Sequence, residues 1–165
     1  MGASGQSDGM EGIDDMEGRY LTFWTDGQMY GLPIADVVQI IRMEQITAIP
    51  EFPDYVKGVI SLRGMIVPVI DVRIRFHKPE AAYTDYTCII IAGIKGNLFG
   101  FVVDRVAEVT DKISPELISK PPQIGNEGAN QYLKGVVRME GRLILMIVTS
   151  QILGEQELED LTQAA

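Results

Sequence analysis

Cys and His, the residues on which many enzyme and metal sites depend, occur only once each in this 165-residue chain. A zinc site needs three or four Cys or His ligands, and an intramolecular disulfide needs two Cys, so neither is expected. His77 lies in a charged segment, and Cys88 lies in an apolar run, where a Cys usually behaves as a small buried hydrophobe. We therefore expect no catalytic residues, no metal ligands and no cofactor.

Three further absences narrow the class of protein. No apolar stretch approaches the roughly 20 residues that span a bilayer, and no basic segment followed by an apolar one marks a signal peptide. A cytoplasmic protein is therefore expected. Glycines at the spacing of a phosphate-binding loop or a dinucleotide fingerprint are also missing. Because a nucleophile–base pair is missing as well, the chain is a poor enzyme candidate.

Positive charge is missing from both ends of the chain. Residues 1–18 hold five acidic residues and residues 154–165 hold four, and neither stretch contains Lys or Arg. Without these nine, 14 of the 23 acidic residues remain, which balances the 14 Lys and Arg. A neutral body lacks the basic stripe that nucleic-acid binding requires. We predict a disordered acidic tail over residues 1–17 and an acidic tail or helix end over residues 154–165.

The chain does contain an internal repeat. Residues 57–71 and 134–148 share their Lys, both Gly and their apolar positions, and residues 30–40 align with residues 99–109 at a different offset. Two copies of this size do not suit a solenoid, which needs three or more shorter repeats. The repeat instead predicts two small lobes packed together.

Lobes this small bury too little surface to be stable alone, so we expect a shared apolar seam within one folded unit, residues 18–153. The approximate lobe bounds are 18–80 and 84–148. Alternating β-branched and aromatic runs predict about ten short strands in two groups. Short helical pieces are predicted at Pro33–Asp36 and Ser114–Leu117, and a C-terminal helix is predicted to begin near Thr149 or Ser150.

The two copies differ sharply in charge at one turn. Gly64 and Gly141 each separate two strand-like runs, where Gly supplies the positive φ of a tight reversal. The preceding residue is Arg63 in the first copy and Glu140 in the second. A charged side chain at a hairpin tip is displayed to solvent or to a partner, so Arg63 is a candidate contact residue.

Four apolar residues at equivalent places of the two copies define a candidate groove: Val37, Ile40, Val106 and Val109. The apolar content is high for two small lobes, so some of it must seal the seam or stay exposed. An exposed apolar groove with a polar rim marks a protein-binding site. The alternative is that all four are ordinary core residues.

These residues resemble the CheW family, the coupling proteins of bacterial chemotaxis. The most specific match is Lys57–Asp71, which is close to the family run G-V-x-N-L-R-G-x-V-x-P-V-x-D-L-R, and the resemblance covers residues 18–153. It implies an all-β fold of two small five-stranded SH3-like barrels on a shared hydrophobic core, with short helical turns and a C-terminal helix. It also implies a non-catalytic adaptor that links chemoreceptor tips to the regulatory domain of the histidine kinase CheA and joins membrane receptor arrays through these partners.

Carried over by position, the resemblance implies receptor contacts at Val37, Ile40, Gly58, Arg63, Val106 and Val109. It implies kinase contacts at Gln39 and Ile41. Two alternatives stay open. One is a CheW-like scaffold for a histidine-kinase pathway that controls surface motility or gene expression instead of flagellar swimming. The other is a small-ligand-binding β-barrel or weak enzyme, which predicts one deep pocket with perturbed titratable groups.

Overall fold

The computed structural model describes residues 16–121 and 131–164, and ten β-strands account for most of their regular structure. The strands are β1 (Tyr20–Thr25), β2 (Gln28–Pro33), β3 (Val37–Arg42), β4 (Val56–Leu62), β5 (Met65–Asp71), β6 (Cys88–Ile94), β7 (Asn97–Val103), β8 (Arg105–Val109), β9 (Leu133–Met139) and β10 (Arg142–Ile147). The α-helices are α1 (Val72–Arg75) and α2 (Glu155–Ala164), and 3₁₀ turns occur at Ile34–Asp36, Pro115–Leu117 and Thr149–Gln151.

The strands form two five-stranded sheets. The first has the order β8-β1-β2-β10-β9, and the second has the order β3-β6-β7-β5-β4. An isolated bridge joins Thr47, which follows β3, to Val59 of β4, and another joins Ser119, which follows β8, to Val136 of β9. Each bridge links the segment that follows one outermost strand to the outermost strand at the other edge of the same sheet, so each sheet curls into a small barrel. The predicted all-β fold of two five-stranded SH3-like barrels is confirmed.

The two barrels do not coincide with the predicted lobes, residues 18–80 and 84–148. The second barrel takes the continuous run β3 to β7, whereas the first takes β1 and β2 from one repeat and β8 to β10 from the other. The strands that the two repeats exchange are joined by parallel pairing of β5 with β7 and of β10 with β2. Because strands of each repeat complete the sheet of the other, neither barrel can close without both repeats.

The pairing registers show that the repeat is structural. Equivalent partners in the two barrels are Val37–Ala92 and Val106–Phe23, and likewise Val69–Gly100 and Met146–Gly31. Strands β6, β7 and β8 therefore correspond to β1, β2 and β3 at an offset of 69 residues, and the β9–β10 hairpin corresponds to β4–β5 at an offset of 77.

Three apolar clusters stabilise this arrangement. The interior of the first barrel holds Tyr20, Met29, Ile113, Val137, Ile144 and Met146, and the interior of the second holds Ile60, Val67, Val69, Ile89, Ile91 and Val102. A third cluster, the shared core, lies between the barrels and has more members than the other two together; it includes Phe23, Tyr30, Phe99 and Phe101. The predicted apolar seam is thus the main hydrophobic core.

The helical predictions had mixed outcomes. The turns predicted near Pro33–Asp36 and Ser114–Leu117 are confirmed. The C-terminal helix begins at Glu155 instead of Thr149 or Ser150, because the chain first forms a 3₁₀ turn and buries Ile152 and Leu153 in the shared core. Helix α2 also buries Leu158 and Leu161 there, so the acidic C-terminal segment is a packed helix end.

The predicted N-terminal tail, residues 1–17, lies almost entirely outside the described residues. Among the described helices, none is both long enough and apolar enough to cross a membrane.

Candidate protein-binding groove

Strand β3, at the edge of the second sheet, provides one side of the candidate site. Residues three apart on a regular strand point to opposite faces. A bulge between Val37 and Gln39 changes this, because it shifts the register of β3 against β6. Val37 then pairs with Ala92 and Ile40 with Ile90, and both partners belong to the shared core. Val37 and Ile40 therefore lie on the same face of the sheet.

Strand β8 repeats this arrangement at the edge of the first sheet. Its register against β1 also shifts, so that Val106 pairs with Phe23 and Val109 with Leu21. Phe23 and Leu21 are members of the shared core. The four predicted groove residues are thus brought onto the faces of two edge strands that flank one core.

We define the groove as the surface between β3 and β8. Its floor consists of side chains that are partly buried against the shared core: Val37, Cys88 and Val106. Its sides carry apolar side chains that remain 44–56% exposed: Val38, Ile40 and Val109. The four predicted residues are therefore not ordinary core residues, since two are half-buried and two are exposed.

Cys88 shows how the two edge strands run relative to each other. It pairs with Arg42 at the end of β3. Burial raises the pKa of its thiol, and a hydrogen bond with the Val106 backbone partly opposes that shift. The end of β3 therefore lies near the start of β8. At the other end of the groove, the Arg19 carbonyl accepts a hydrogen bond from the Ile34 amide shortly before β3, and the Arg19 side chain lies 3.9 Å from Asp111 shortly after β8. The two strands are therefore antiparallel across the groove.

Gln39 and Ile41, the residues for which kinase contacts were predicted, lie on the opposite face of β3. They pair with Ile91 and Ile89, which belong to the interior of the second barrel. Both are half-buried, and Ile41 packs against that interior cluster.

Gly58 is buried, and the structure accounts for it by packing. Its φ of 143° is one that residues with a Cβ rarely adopt, and an added Cβ would clash with the Thr47 carbonyl oxygen. Gly58 therefore allows the bridge between Thr47 and Val59 that closes the second barrel. Because Gly58 is buried and has no side chain, it offers no exposed side chain to a receptor at this position.

Arg63 is exposed at the tip of the β4–β5 hairpin, in a two-residue turn with Gly64. Arg63 has φ 51° and Gly64 has φ 80°, a combination that matches the type I′ turn favoured in hairpins. A left-handed conformation costs a residue other than Gly about 1–2 kcal/mol. Among the described residues, no ion pair involves the Arg63 guanidinium.

The first barrel shows where such a tip lies relative to its edge strand. One surface depression is lined by residues of β8, of the segment after it and of the β9–β10 hairpin, including Glu108, Val109, Asp111 and Glu140. Glu140 corresponds to Arg63, and Val109 corresponds to Ile40. By this equivalence, we infer that Arg63 lies towards the Ile40–Arg42 end of the groove.

An ion-pair network that the sequence did not reveal holds the chain where it crosses between barrels. Arg73 of α1 donates two hydrogen bonds to Asp104, at 2.8 and 2.7 Å, and a third at 3.2 Å to Asp26 in the β1–β2 turn. The hydrogen bonds with Asp104 raise the pKa of Arg73. Since Asp104 immediately precedes β8, this network positions the start of that strand.

Asp71, the last residue of β5, has a structural function. It caps α1 by accepting a hydrogen bond from the Ile74 amide and accepts another from the Tyr83 hydroxyl. In the part of the chain that the structure describes, no three His, Cys, Asp or Glu residues are grouped to hold a metal ion.

Val38 and Tyr86 are exposed groove residues that the sequence did not single out. Val38 is 56% exposed because of the β3 bulge, and a bulge leaves no clear signal in an alternating apolar run. Tyr86 is 67% exposed, and the Arg105 guanidinium lies 5.0 Å from its ring centre. Because Arg105 immediately precedes Val106, this pair lies at the end of the groove near Cys88.

Comparison with known proteins agrees with this fold. The CheW-like domain family matches residues 19–157. The chain is 32% identical over 139 residues to the chemotaxis protein CheW of Klebsiella aerogenes, covering 84% of this chain and 83% of that protein. It is 29% identical over 153 residues to the chemotaxis protein CheW of Treponema pallidum, covering 90% and 89%.

A solved structure and a relative with another name extend the comparison. The crystal structure of the scaffolding protein TtCheW from Thermoanaerobacter tengcongensis matches with a TM-score of 0.77 and 31% identity, over 86% of this chain and 96% of that one. Protein FrzA of Myxococcus xanthus is 26% identical over 125 residues, covering 76% and 77%. The chain therefore belongs to the CheW-like domain family, the coupling adaptors of chemotaxis signal transduction.

Proposed function

We propose that this protein couples the cytoplasmic tip of a methyl-accepting chemoreceptor to the regulatory domain of the histidine kinase CheA through protein–protein contacts, without catalysing a reaction. In this proposal it is cytoplasmic and reaches membrane receptor arrays through its partners. The observation that carries the proposal is the apolar groove between β3 and β8, with Arg63 at one end.

The groove suits a helix that carries an apolar stripe. Val38, Ile40 and Val109 leave apolar surface in water, and an amphipathic helix laid between them would cover it. Burying apolar surface contributes about 25 cal/mol per Å². Receptor tips of this system are helical hairpins, so one helix of the hairpin is the proposed occupant. Val37 and Val106 would form the floor beneath it.

Arg63 is the proposed polar anchor of the receptor contact. It is always charged, and its guanidinium forms two parallel hydrogen bonds to a carboxylate. Since its side chain has no ion-pair partner among the described residues, an incoming carboxylate would not have to displace one. A desolvated Arg at an interface is a common site of large binding energy.

Gln39 and Ile41 are the proposed kinase contacts. Their side chains face the interior of the second barrel, so we assign the contact chiefly to their backbone groups. Within the described residues, β3 is hydrogen-bonded to a neighbouring strand, β6, on one side only. An unpaired strand edge accepts an extended segment or another edge by backbone hydrogen bonding.

A titration with matched variants tests the proposal. Purified protein is titrated against a chemoreceptor signalling fragment and, separately, against the CheA regulatory domain. Arg63→Glu reverses the tip charge and is expected to weaken receptor binding about tenfold, which corresponds to about 1.4 kcal/mol. Glu140→Arg makes the mirrored change in the same turn type and should leave both affinities within about twofold.

Two results would contradict the proposal. One is that the wild-type protein binds neither fragment. The other is that Arg63→Glu binds both fragments as well as the wild type does. Circular dichroism of the two variants shows whether each retains the native fold before its affinity is compared.

A second candidate function keeps the adaptor and changes the pathway. The similarity to FrzA indicates that the family includes proteins under names other than CheW. The kinase could then be one that controls surface motility or gene expression. Titrating the protein against the regulatory domain of each CheA-like kinase of its organism identifies which pathway it serves.

A further inference from the structure

The repeat makes the groove nearly two-fold symmetric. Its apolar positions form equivalent pairs at the same offset of 69 residues: Val37 with Val106, Val38 with Ala107, and Ile40 with Val109. The two edge strands are antiparallel, because the end of β3 lies beside the start of β8 and Arg19 connects the segment before β3 with Asp111 after β8. A groove built only from these apolar positions would accept a helix equally well in either direction.

Charged residues at the two ends of the groove break this symmetry. Arg42 ends β3, and the equivalent residue after β8 is Asp111; Gln39 corresponds to Glu108, and Arg63 corresponds to Glu140. At each of these three pairs the first-repeat residue is the more positive one. One end of the groove is therefore basic, and the other is acidic.

The neighbouring charges reduce this difference without removing it. At the acidic end, Arg19 lies 3.9 Å from Asp111, and Arg142 lies over the Trp24 ring at 5.1 Å. The Asp111 side chain nevertheless remains fully exposed. At the basic end, no described residue forms an ion pair with Arg42 or Arg63. Three acidic groups and three bases, Arg19, Lys112 and Arg142, thus occupy one end of the groove. The other end holds Arg42 and Arg63, which form no ion pair among the described residues, and it is therefore the more basic end.

We propose that this charge difference sets the direction of the bound receptor helix, with the more acidic end of its apolar stripe at Arg42 and Arg63. This inference rests on the proposed function, because it requires a helix in the groove. Complementary potentials select one register and orientation, and placing like charges together disfavours the reverse one. The apolar pairs provide affinity in both directions, whereas the end charges distinguish between them.

Paramagnetic broadening measures the direction. A nitroxide label is attached to a chemoreceptor hairpin fragment at the more acidic end of its apolar stripe, and amide signals of the adaptor are recorded. In the wild type, the label should broaden the Arg42 amide more than the Asp111 amide, with about a tenfold excess of one orientation, equivalent to about 1.4 kcal/mol. At roughly 1 M salt, where the Debye length is about 3 Å, the excess should fall.

A charge exchange provides the decisive variant. Arg42→Asp combined with Asp111→Arg preserves the net charge and changes two exposed side chains. We expect it to reverse or equalise the broadening pattern. A fully folded single variant, Arg42→Asp, should lower the orientation excess to about twofold or less, because both ends then carry acidic residues.

The outcomes separate this inference from the proposed function. Equal broadening at both ends of the wild-type groove, or an unchanged pattern in the exchanged variant, would overturn the inference alone. Failure of the wild-type protein to bind the receptor fragment would overturn the proposed function and the inference with it.

Discussion

The hairpin tips of the two barrels have the same backbone and opposite charge. Arg63 and Gly64 have φ values of 51° and 80°, and Glu140 and Gly141 have values of 51° and 79°. The flanking strands pair in equivalent registers. Since the turn geometry does not depend on the charge, the backbone belongs to the scaffold. The charge is then free to differ between the two tips, as the proposed receptor contact at Arg63 requires.

The same comparison applies to the points where the chain crosses between the barrels. Between β7 and β8, Asp104 is held in a three-member network with Arg73 and Asp26. Between β2 and β3, Asp36 accepts one hydrogen bond of 2.7 Å from the Thr149 hydroxyl. The duplicated scaffold therefore tolerates different chemistry at equivalent positions, provided that each crossing is held.

The largest expected loss of stability comes from a substitution that disrupts the closure of one barrel. Gly58→Ala should destabilise the protein by about 4 kcal/mol, because the strained φ and the clash with the Thr47 carbonyl act together. Gly135→Ala, in the other barrel, should cost about 2 kcal/mol, since it would clash with Ile118 and the Ser119 carbonyl but its φ lies outside the range that side chains rarely adopt. Urea denaturation measures both changes.

Gly93→Ala is the matched control for these two substitutions. No heavy atom lies within 4 Å of a Cβ placed at Gly93, so its stability should stay close to that of the wild type. Equal losses for Gly58→Ala and Gly93→Ala would show that the bridge to Thr47 is not what requires Gly58.

The next effect compares the two crossings. Arg73→Met should cost about 2 kcal/mol, because the Arg73 side chain is 19% exposed and its removal leaves the Asp104 carboxylate without its partner. Thr149→Val should cost about 1 kcal/mol, since it removes one hydrogen bond. Urea denaturation with each variant checks the order, and a larger loss for Thr149→Val would reverse the comparison.

Substituting Asn at each hairpin tip distinguishes the contribution of the tip to stability from its contribution to receptor binding. Asn tolerates the left-handed conformation better than Arg or Glu, so Arg63→Asn and Glu140→Asn should each raise stability by up to about 1 kcal/mol. Only Arg63→Asn should weaken binding to the receptor fragment. Thermal unfolding and titration are run on the same preparations; a parallel loss of binding in Glu140→Asn would mean that the tips are not functionally distinct.

The smallest expected effect on stability concerns the ionisation of Tyr30 in the shared core. Tyr30 of β2 corresponds to Phe99 of β7, and burial raises the pKa of Tyr30 to about 12. An unfolded tyrosine ionises near pH 10, so the stability linked to Tyr30 is present below about pH 10 and is lost as the pH rises towards 12. Tyr30→Phe should change stability little at neutral pH and reduce this alkaline loss.

Denaturation at neutral pH and at about pH 11 measures the effect of Tyr30→Phe. Burial also raises the pKa of Tyr55 to about 12, so part of the alkaline loss should persist in the variant. An unchanged alkaline loss after the substitution would indicate that Tyr30 does not ionise in this range.

Several features of the fold could be predicted because they depend on neighbouring residues. The turn glycines Gly27, Gly64 and Gly141 lie between β-prone runs, and each adopts the positive φ that such turns require. The short helical turns were likewise signalled by Pro33 and Pro115. Local chemistry of this kind constrains φ and ψ directly.

The groove was only partly predictable. Equivalent positions in the repeat identified Val37 and Ile40, but a regular strand would have placed them on opposite faces. The bulge that aligns them arises from pairing with β6, about 50 residues away in sequence. The same pairing turns Gln39 and Ile41 towards the interior of the second barrel.

The sequence by itself determined the hairpins, the duplicated apolar pattern and the charge reversal between Arg63 and Glu140, because these are properties of adjacent residues and of their alignment. Only the tertiary structure decided that the repeats exchange strands, that Gly58 must accommodate Thr47, and which side chains line the groove. The physical reason is that strand pairing joins distant segments, and a shift of one residue in register exchanges the buried and exposed faces of a strand.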